Sequence, residues 1–159
     1  MLRPCIVAGP QAPALDDAMP WHWLPGMRAA TRAVPLLKPL VPDPATPLQL
    51  VHHDDVAAVI ALAATASAPA GPYNIAGNGV VSTTAVVAAL GGRPVRVPQF
   101  AAAAASAVVA QLPFTPSALE WLHVVRTSVV MNTSKAKSVL GWTPKYTSAE
   151  TLEALAAAV

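Results

Sequence analysis

The side chains best suited to chemistry stand together at Val51-His-His-Asp-Asp-Val56, in a chain where only 11% of residues are charged. Imidazoles and carboxylates ligate metals and move protons, so the stretch reads as a metal site, a catalytic pair or the start of a helix. Adjacent residues suit a shared ion poorly. In a strand, His52 and His53 point to opposite faces, and at most one faces any common site. Neither HExxH nor a paired CxxC accompanies them. The simpler reading is a strand end running into a helix. There Asp54 or Asp55 accepts from exposed N–H groups and complements the positive helix end. No metal ligand is assigned.

Other candidates fall to simpler explanations. Gly77-Asn-Gly79-Val-Val-Ser82 imitates a dinucleotide-binding fingerprint. Its third glycine is Ser82, however, and Val97-Pro98-Gln99 stand where an acidic residue should follow. A turn plus a helix cap explains it better. Cys5 lies in an apolar run with Arg3 on the same strand face, and reads as a buried inert thiol. Trp121 and His123 sit in an apolar helical stretch, where packing is the default. His22, between Trp21 and Trp23, lies in a loop and could meet a ligand.

The elements that must position these residues follow from composition and pattern. With 159 residues, the chain is long enough to bury roughly 70% of its unfolded surface. Ten basic residues are scattered without a run, which argues against nucleic-acid binding. One cysteine excludes an internal disulfide and fits a reducing cytoplasm. The N-terminal apolar stretch is short for a signal peptide. The longest apolar runs, Val56–Ala64 and Ala101–Ala110, fall short of the ~18 residues that span a bilayer.

Leu2–Ala8, closed by Gly9-Pro10, predicts a strand buried on both faces, as in a parallel sheet. Residues 10–47 are proline-rich and predict a loop with short helices, one around Gly26–Val34. Further strands are expected at Leu48–His52, Tyr73–Ala76, Val95–Val97 and Ser128–Met131. Val56–Ala66 predicts a helix buried on most sides. Helices are also expected at Thr84–Leu90 after a Ser82 or Thr83 cap, at Phe100–Leu112, and from Ser117 to about Val125. Two more are Ser134–Leu140 after Asn132 or Thr133, and a last helix opened by the capping box Thr147-Ser-Ala-Glu150. Strands alternating with helices make the class α/β.

Four segments carry a resemblance. Leu2-Arg-Pro-Cys-Ile-Val-Ala-Gly-Pro10 resembles the LRPxxVxGP strand of the extended short-chain dehydrogenases/reductases, the NAD-dependent epimerase/dehydratase family. Leu50-Val-His-His-Asp-Asp-Val-Ala57 resembles its (F/Y)(I/V)HVxDVA, and Gly71-Pro-Tyr-Asn-Ile-Ala-Gly77 its GxYNVGG. Asn132-Thr-Ser-Lys-Ala-Lys-Ser-Val-Leu-Gly-Trp-Thr-Pro144 resembles DxSKAxxxLGWxP. Their order and spacing agree along the chain.

The resemblance implies that residues 1–159 are a single substrate-binding, C-terminal portion of such a protein. The expected fold is the last Rossmann strands plus the small substrate-binding domain. The family's glycine-rich NAD(P) loop and Tyr-x-x-x-Lys belong to an N-terminal half. Tyr73 is followed four residues on by Gly77, and Tyr146 by Glu150, so neither supplies that pair. Without the tyrosine acid/base and its lysine, these residues alone are expected to be non-catalytic and to bind NAD or NADP weakly at best.

By the same resemblance, the backbone at Pro4 and Cys5 lies near the nicotinamide in the complete protein. Ile6 replaces a frequent substrate-binding Asn, Leu48 a phosphate-binding Arg, and Asn132 an Asp; Arg126 is offset from a second phosphate arginine. These losses count against a nucleotide-sugar substrate. The pocket wall would comprise Ile6, Trp21, Trp23 and Leu48, with Arg126 nearby. His52, Asp55, Asn74 and Trp142 stand at recurring motif positions and read as structural. Docking to an N-terminal half, or self-association through an open sheet edge, is the expected partnership. The alternatives are a non-catalytic interaction module on the same fold, and a metal hydrolase built on VHHDDV.

Overall fold

The computed structural model describes residues 1–12, 40–65, 69–98 and 128–158, together with Leu15, Lys38 and Phe100. The helices expected around Gly26–Val34, Phe100–Leu112 and Ser117–Val125 lie outside these residues. The chain forms two compact units. One comprises Met1–Leu15, Leu48–Val81 and Val129–Val159; the other comprises Asp16–Pro47 and Ser82–Ser128.

In the first unit the expected N-terminal strand is present but divided at Cys5. β1 (Leu2–Pro4) pairs in parallel with β6 (Tyr73–Ile75), Leu2 opposite Tyr73. β2 (Ile6–Ala8) pairs in parallel with β5 (Leu50–His52), Ile6 opposite Leu50. The chain therefore changes partner at Cys5, whose N–H still donates to the Ile75 carbonyl at 2.9 Å. Burial on both faces does not hold for this segment. Arg3 and Pro4 are exposed and Ile6 is half-buried; each short strand also has only one hydrogen-bonded neighbour among the described residues.

The predicted Leu48–His52 strand is also divided. Leu48 belongs to a two-residue strand, β4 (Pro47–Leu48), and Gln49 interrupts the run. The Gln49 side-chain carbonyl accepts the Met131 N–H at 2.7 Å, and the Gln49 backbone N–H donates to the Val129 carbonyl at 2.9 Å. The strand expected over Ser128–Met131 reduces to a single bridge between Leu48 and Val129. Gln49 thus supplies the pairing that a fuller strand there would have made.

The helices follow local chemistry. α1 (His53–Thr65) begins three residues before the expected start. α3 (Ser134–Leu140) has the expected bounds: the Asn132 carboxamide accepts the Ser134 N–H at 2.9 Å, and Gly141 closes the helix at φ 66°. α4 (Ser148–Ala158) opens on the predicted capping box. Glu150 accepts the Thr147 N–H at 2.8 Å and the Thr147 hydroxyl accepts the Glu150 N–H at 3.2 Å. The Thr147 N–H and hydroxyl, both donating to the Glu150 carboxylate, hold that carboxyl below its usual range. The core gathers Cys5, Val51, Val59, Tyr73, Ile75, Ala76, Ala136, Leu140 and Trp142, with Leu2, Val7, Val56 and Leu62 packed against it.

α1 departs from expectation in its surroundings. Only Asp55 and Val59 are buried, while Ala57, Ala58, Ile60, Ala61 and Ala64 are exposed. A helix apolar on nearly every side is thus covered on one.

The second unit contains β3 (Leu40–Asp43), β8 (Arg93–Arg96) and α2 (Thr83–Ala89). β3 falls where a loop was expected. Its prolines at 42 and 44 hid it, and its parallel pairing with β8 reaches across more than fifty residues of sequence. β8 begins two residues before the predicted Val95. The Ser82 hydroxyl accepts the Ala85 N–H at 3.2 Å and caps α2, as expected. The buried Asp43 carboxylate accepts the hydroxyls of both Thr83 and Thr84, binding β3 to the start of α2. It also accepts the Ala45 N–H at 2.8 Å, in a turn that holds Ala45 at φ 56°.

A left-handed alanine costs about 1–2 kcal/mol, against about 0.5–1 kcal/mol for the extra chain entropy of glycine. Ala45→Gly is therefore expected to raise stability by on the order of 0.5 kcal/mol, read as a higher denaturation midpoint in urea.

Candidate functional site

The VHHDDV junction lies at the carboxyl ends of two parallel strands. Ala8 stands opposite His52 in the β2–β5 ladder, Gly9 follows Ala8, and α1 starts at His53. The strand stops at His52, so alternation does not carry on to His53. The expectation that the two imidazoles face apart is overturned: their ring centroids are 4.3 Å apart, with planes tilted by 31°. The change from extended to helical backbone between them turns the second ring back onto the first.

Gly9 makes room for this. It adopts φ 134°, and a Cβ there would come within 2.3 Å of His53 Nδ1 and 3.1 Å of His52 Nε2. His53 Nδ1 is buried without a hydrogen-bond partner among the described residues. The Asp54 carboxylate, largely exposed, lies 3.5 Å from His52 Nδ1 and 3.4 Å from His53 Nε2.

Neither aspartate side chain is the helix cap that was expected. The His52 imidazole takes that part, accepting the Asp54 N–H at 3.3 Å. His52 is buried and stacks on Tyr146, with centroids 4.0 Å apart. Burial pushes its pKa below the usual imidazole value, and the neighbouring His53 adds to that; Asp54 and Asp55 oppose it. Asp55 is buried and reaches across to the loop before α4. It accepts the Lys145 N–H at 2.8 Å and the Tyr146 N–H at 3.1 Å.

The remaining predicted residues are placed as follows. Cys5 is buried where β1 gives way to β2, and burial pushes its thiol up to about 11. Arg3 is exposed, so the two do not share an environment. Pro4, next to Cys5, is exposed. Leu48 is only 3% exposed, which leaves little of its side chain to face a ligand. Asn74, on β6, donates to the Asn132 carbonyl at 3.2 Å and ties that strand to the start of α3. Trp142 packs in the core after Gly141. Trp21, Trp23 and Arg126 lie outside the described residues.

Gly77 takes no part in a phosphate loop. Its N–H donates to the Leu50 carbonyl at 2.9 Å, and a Cβ there would meet that oxygen at 2.6 Å. Sequence reasoning missed Tyr146 and Gly9 as members of the junction. Gly9 was read only as a strand terminator, and nothing local places Tyr146 beside His52.

No family model matches the sequence, and no curated protein matches it. Solved structures do. The UDP-glucuronic acid 4-epimerase of Bacillus cereus in complex with NAD matches with a TM-score of 0.57 at 16% identity, over 99% of this chain and 43% of that one. The enzyme WbmG of Bordetella bronchiseptica, in complex with NAD and UDP, gives 0.60 at 19% identity, over 99% and 41%. The dTDP-glucose 4,6-dehydratase of Bacillus anthracis, in complex with NAD, gives 0.56 at 17% identity, over 98% and 42%. The chain has part of their fold. That is the α/β fold of the extended short-chain dehydrogenases, as the motifs implied. The chain spans less than half the length of each of these three structures. No helix among the described residues is long and apolar enough to cross a membrane.

Two measurements check this geometry. Asp55→Ala leaves two backbone N–H groups without their acceptor and is expected to cost about 2–4 kcal/mol in chemical unfolding. Cys5 is expected to react with iodoacetamide at pH 8 about a hundredfold more slowly in the folded chain than in urea, because little of it is thiolate.

Proposed function

We propose that these 159 residues are the C-terminal, substrate-facing portion of an NAD(P)-dependent epimerase/dehydratase or reductase of the extended short-chain dehydrogenase type. On this reading they contribute part of a substrate pocket and carry out no chemistry without the nucleotide-binding half. The observation that carries it is the bare face of α1. Ala57, Ala58, Ile60, Ala61 and Ala64 form an apolar surface on a helix whose other side packs into the core. Together with strands β1 and β2, each paired on one side only among the described residues, it offers the surface that an N-terminal half would cover.

The match over 41–43% of three NAD-complexed enzymes supports the same reading, as do the four motifs in order. The cofactor would be NAD or NADP, held chiefly by the other half, with the backbone at Pro4 and Cys5 close to the nicotinamide. The substrate is a small molecule. Ile6 offers no hydrogen bond to a diphosphate and the buried Leu48 adds none, so the wall suits a substrate less polar than a nucleotide sugar. Trp21, Trp23 and Arg126 would complete that wall.

The test is calorimetric titration of the isolated chain with NAD+, NADH and NADP+, followed by sedimentation. No measurable binding up to about 1 mM is expected, an affinity weaker than about −4 kcal/mol. Self-association relieved by Ile60→Asp is expected as well. Tight cofactor binding, or a monomer indifferent to Ile60→Asp, would overturn the proposal.

A further inference from the structure

We propose that His52, His53 and Asp54 bind a divalent first-row transition metal, with zinc the best match to their donors. Two imidazole nitrogens and a carboxylate are a donor set that suits zinc, and three protein ligands leave a fourth position open. One ligand atom from each residue lies within 4.8 Å of the other two.

The separations leave room for an ion. Asp54 Oδ2 is 3.5 Å from His52 Nδ1, and Asp54 Oδ1 is 3.4 Å from His53 Nε2. Both are long for a charge-assisted hydrogen bond, which is about 2.7–2.9 Å. Two donors on a tetrahedron with bonds of about 2.1 Å stand about 3.4 Å apart, close to each separation, and one carboxylate oxygen must turn to serve both imidazoles. An ion at His52 Nδ1 would replace the Asp54 N–H as that nitrogen's partner.

Gly9 makes the arrangement directional. His53 Nδ1 is packed against Gly9, where no Cβ could be accommodated, and this turns His53 Nε2 toward Asp54. Asp55 does not compete, since both of its oxygens are engaged by the Lys145 and Tyr146 N–H groups. Its charge and that of Asp54 offset the positive end of α1, which would otherwise repel a cation.

The location is a second, independent pointer. The cluster stands beyond the carboxyl ends of parallel strands β2 and β5, where open α/β sheets place their ligands. The inference does not depend on the cofactor reading above.

The experiment is titration of the whole chain with Zn2+ against a chromophoric chelator, repeated with Co2+ to read coordination from its ligand-field spectrum. One ion per chain is expected, with a tetrahedral Co2+ spectrum. Asp54→Ala, at a largely exposed position, and His53→Ala should each weaken binding about tenfold or more. Replacing the only other two histidines, His22 and His123, should leave binding unchanged. Absence of stoichiometric binding overturns the proposal. So does binding that survives Asp54→Ala, or binding that is lost with His22 and His123.

Discussion

The Asp55 carboxylate holds the first unit together at its busiest point. It sits in the first turn of α1, yet it spends both oxygens on the backbone of Lys145 and Tyr146, ninety residues further on. A buried carboxylate must be satisfied in full, and two N–H groups from one tight loop do this with little adjustment. The consequence reaches both ways. Tyr146 is brought over His52, which fixes the end of β5. The next residues are then placed so that the Ser148 hydroxyl donates to the Leu50 carbonyl and its N–H donates to the Asn78 carbonyl. A strand end, two helix starts and a loop thus share one anchor.

The second constraint is the change of strand partner at Cys5. β1 follows β6 and β2 follows β5, so a single seven-residue stretch joins two ladders. A small, buried side chain suits that crossing, and Cys5 packs there with Val51, Ile75 and Ala76. The same geometry leaves the far side of each strand without a neighbour among the described residues. The Ala/Ile face of α1 is likewise exposed.

Much of the local structure was legible because its causes are local. Thr147 and Glu150 cap α4, Ser82 caps α2, and Asn132 and Gly141 bracket α3, because each contact spans only a few residues. The α/β class and the family motifs were also readable, since they depend on order along the chain. The β3–β8 pairing was not, because its partners are distant in sequence and its prolines imitate a loop. Burial was misjudged on β1 and α1 for a related reason. Hydropathy states what a segment would bury, and only the neighbours decide whether it does.

VHHDDV shows where this division falls. Its residue types and its role as a strand-to-helix junction were determined by the sequence alone. Whether the two imidazoles face apart or together depended on a change of backbone conformation at one peptide, and on the room that Gly9 leaves some forty residues away. Neither is encoded in the spacing of the motif. Side-chain direction follows the backbone dihedrals of each residue and the space left by the rest of the fold, so only the tertiary structure could bring His52, His53 and Asp54 to one point.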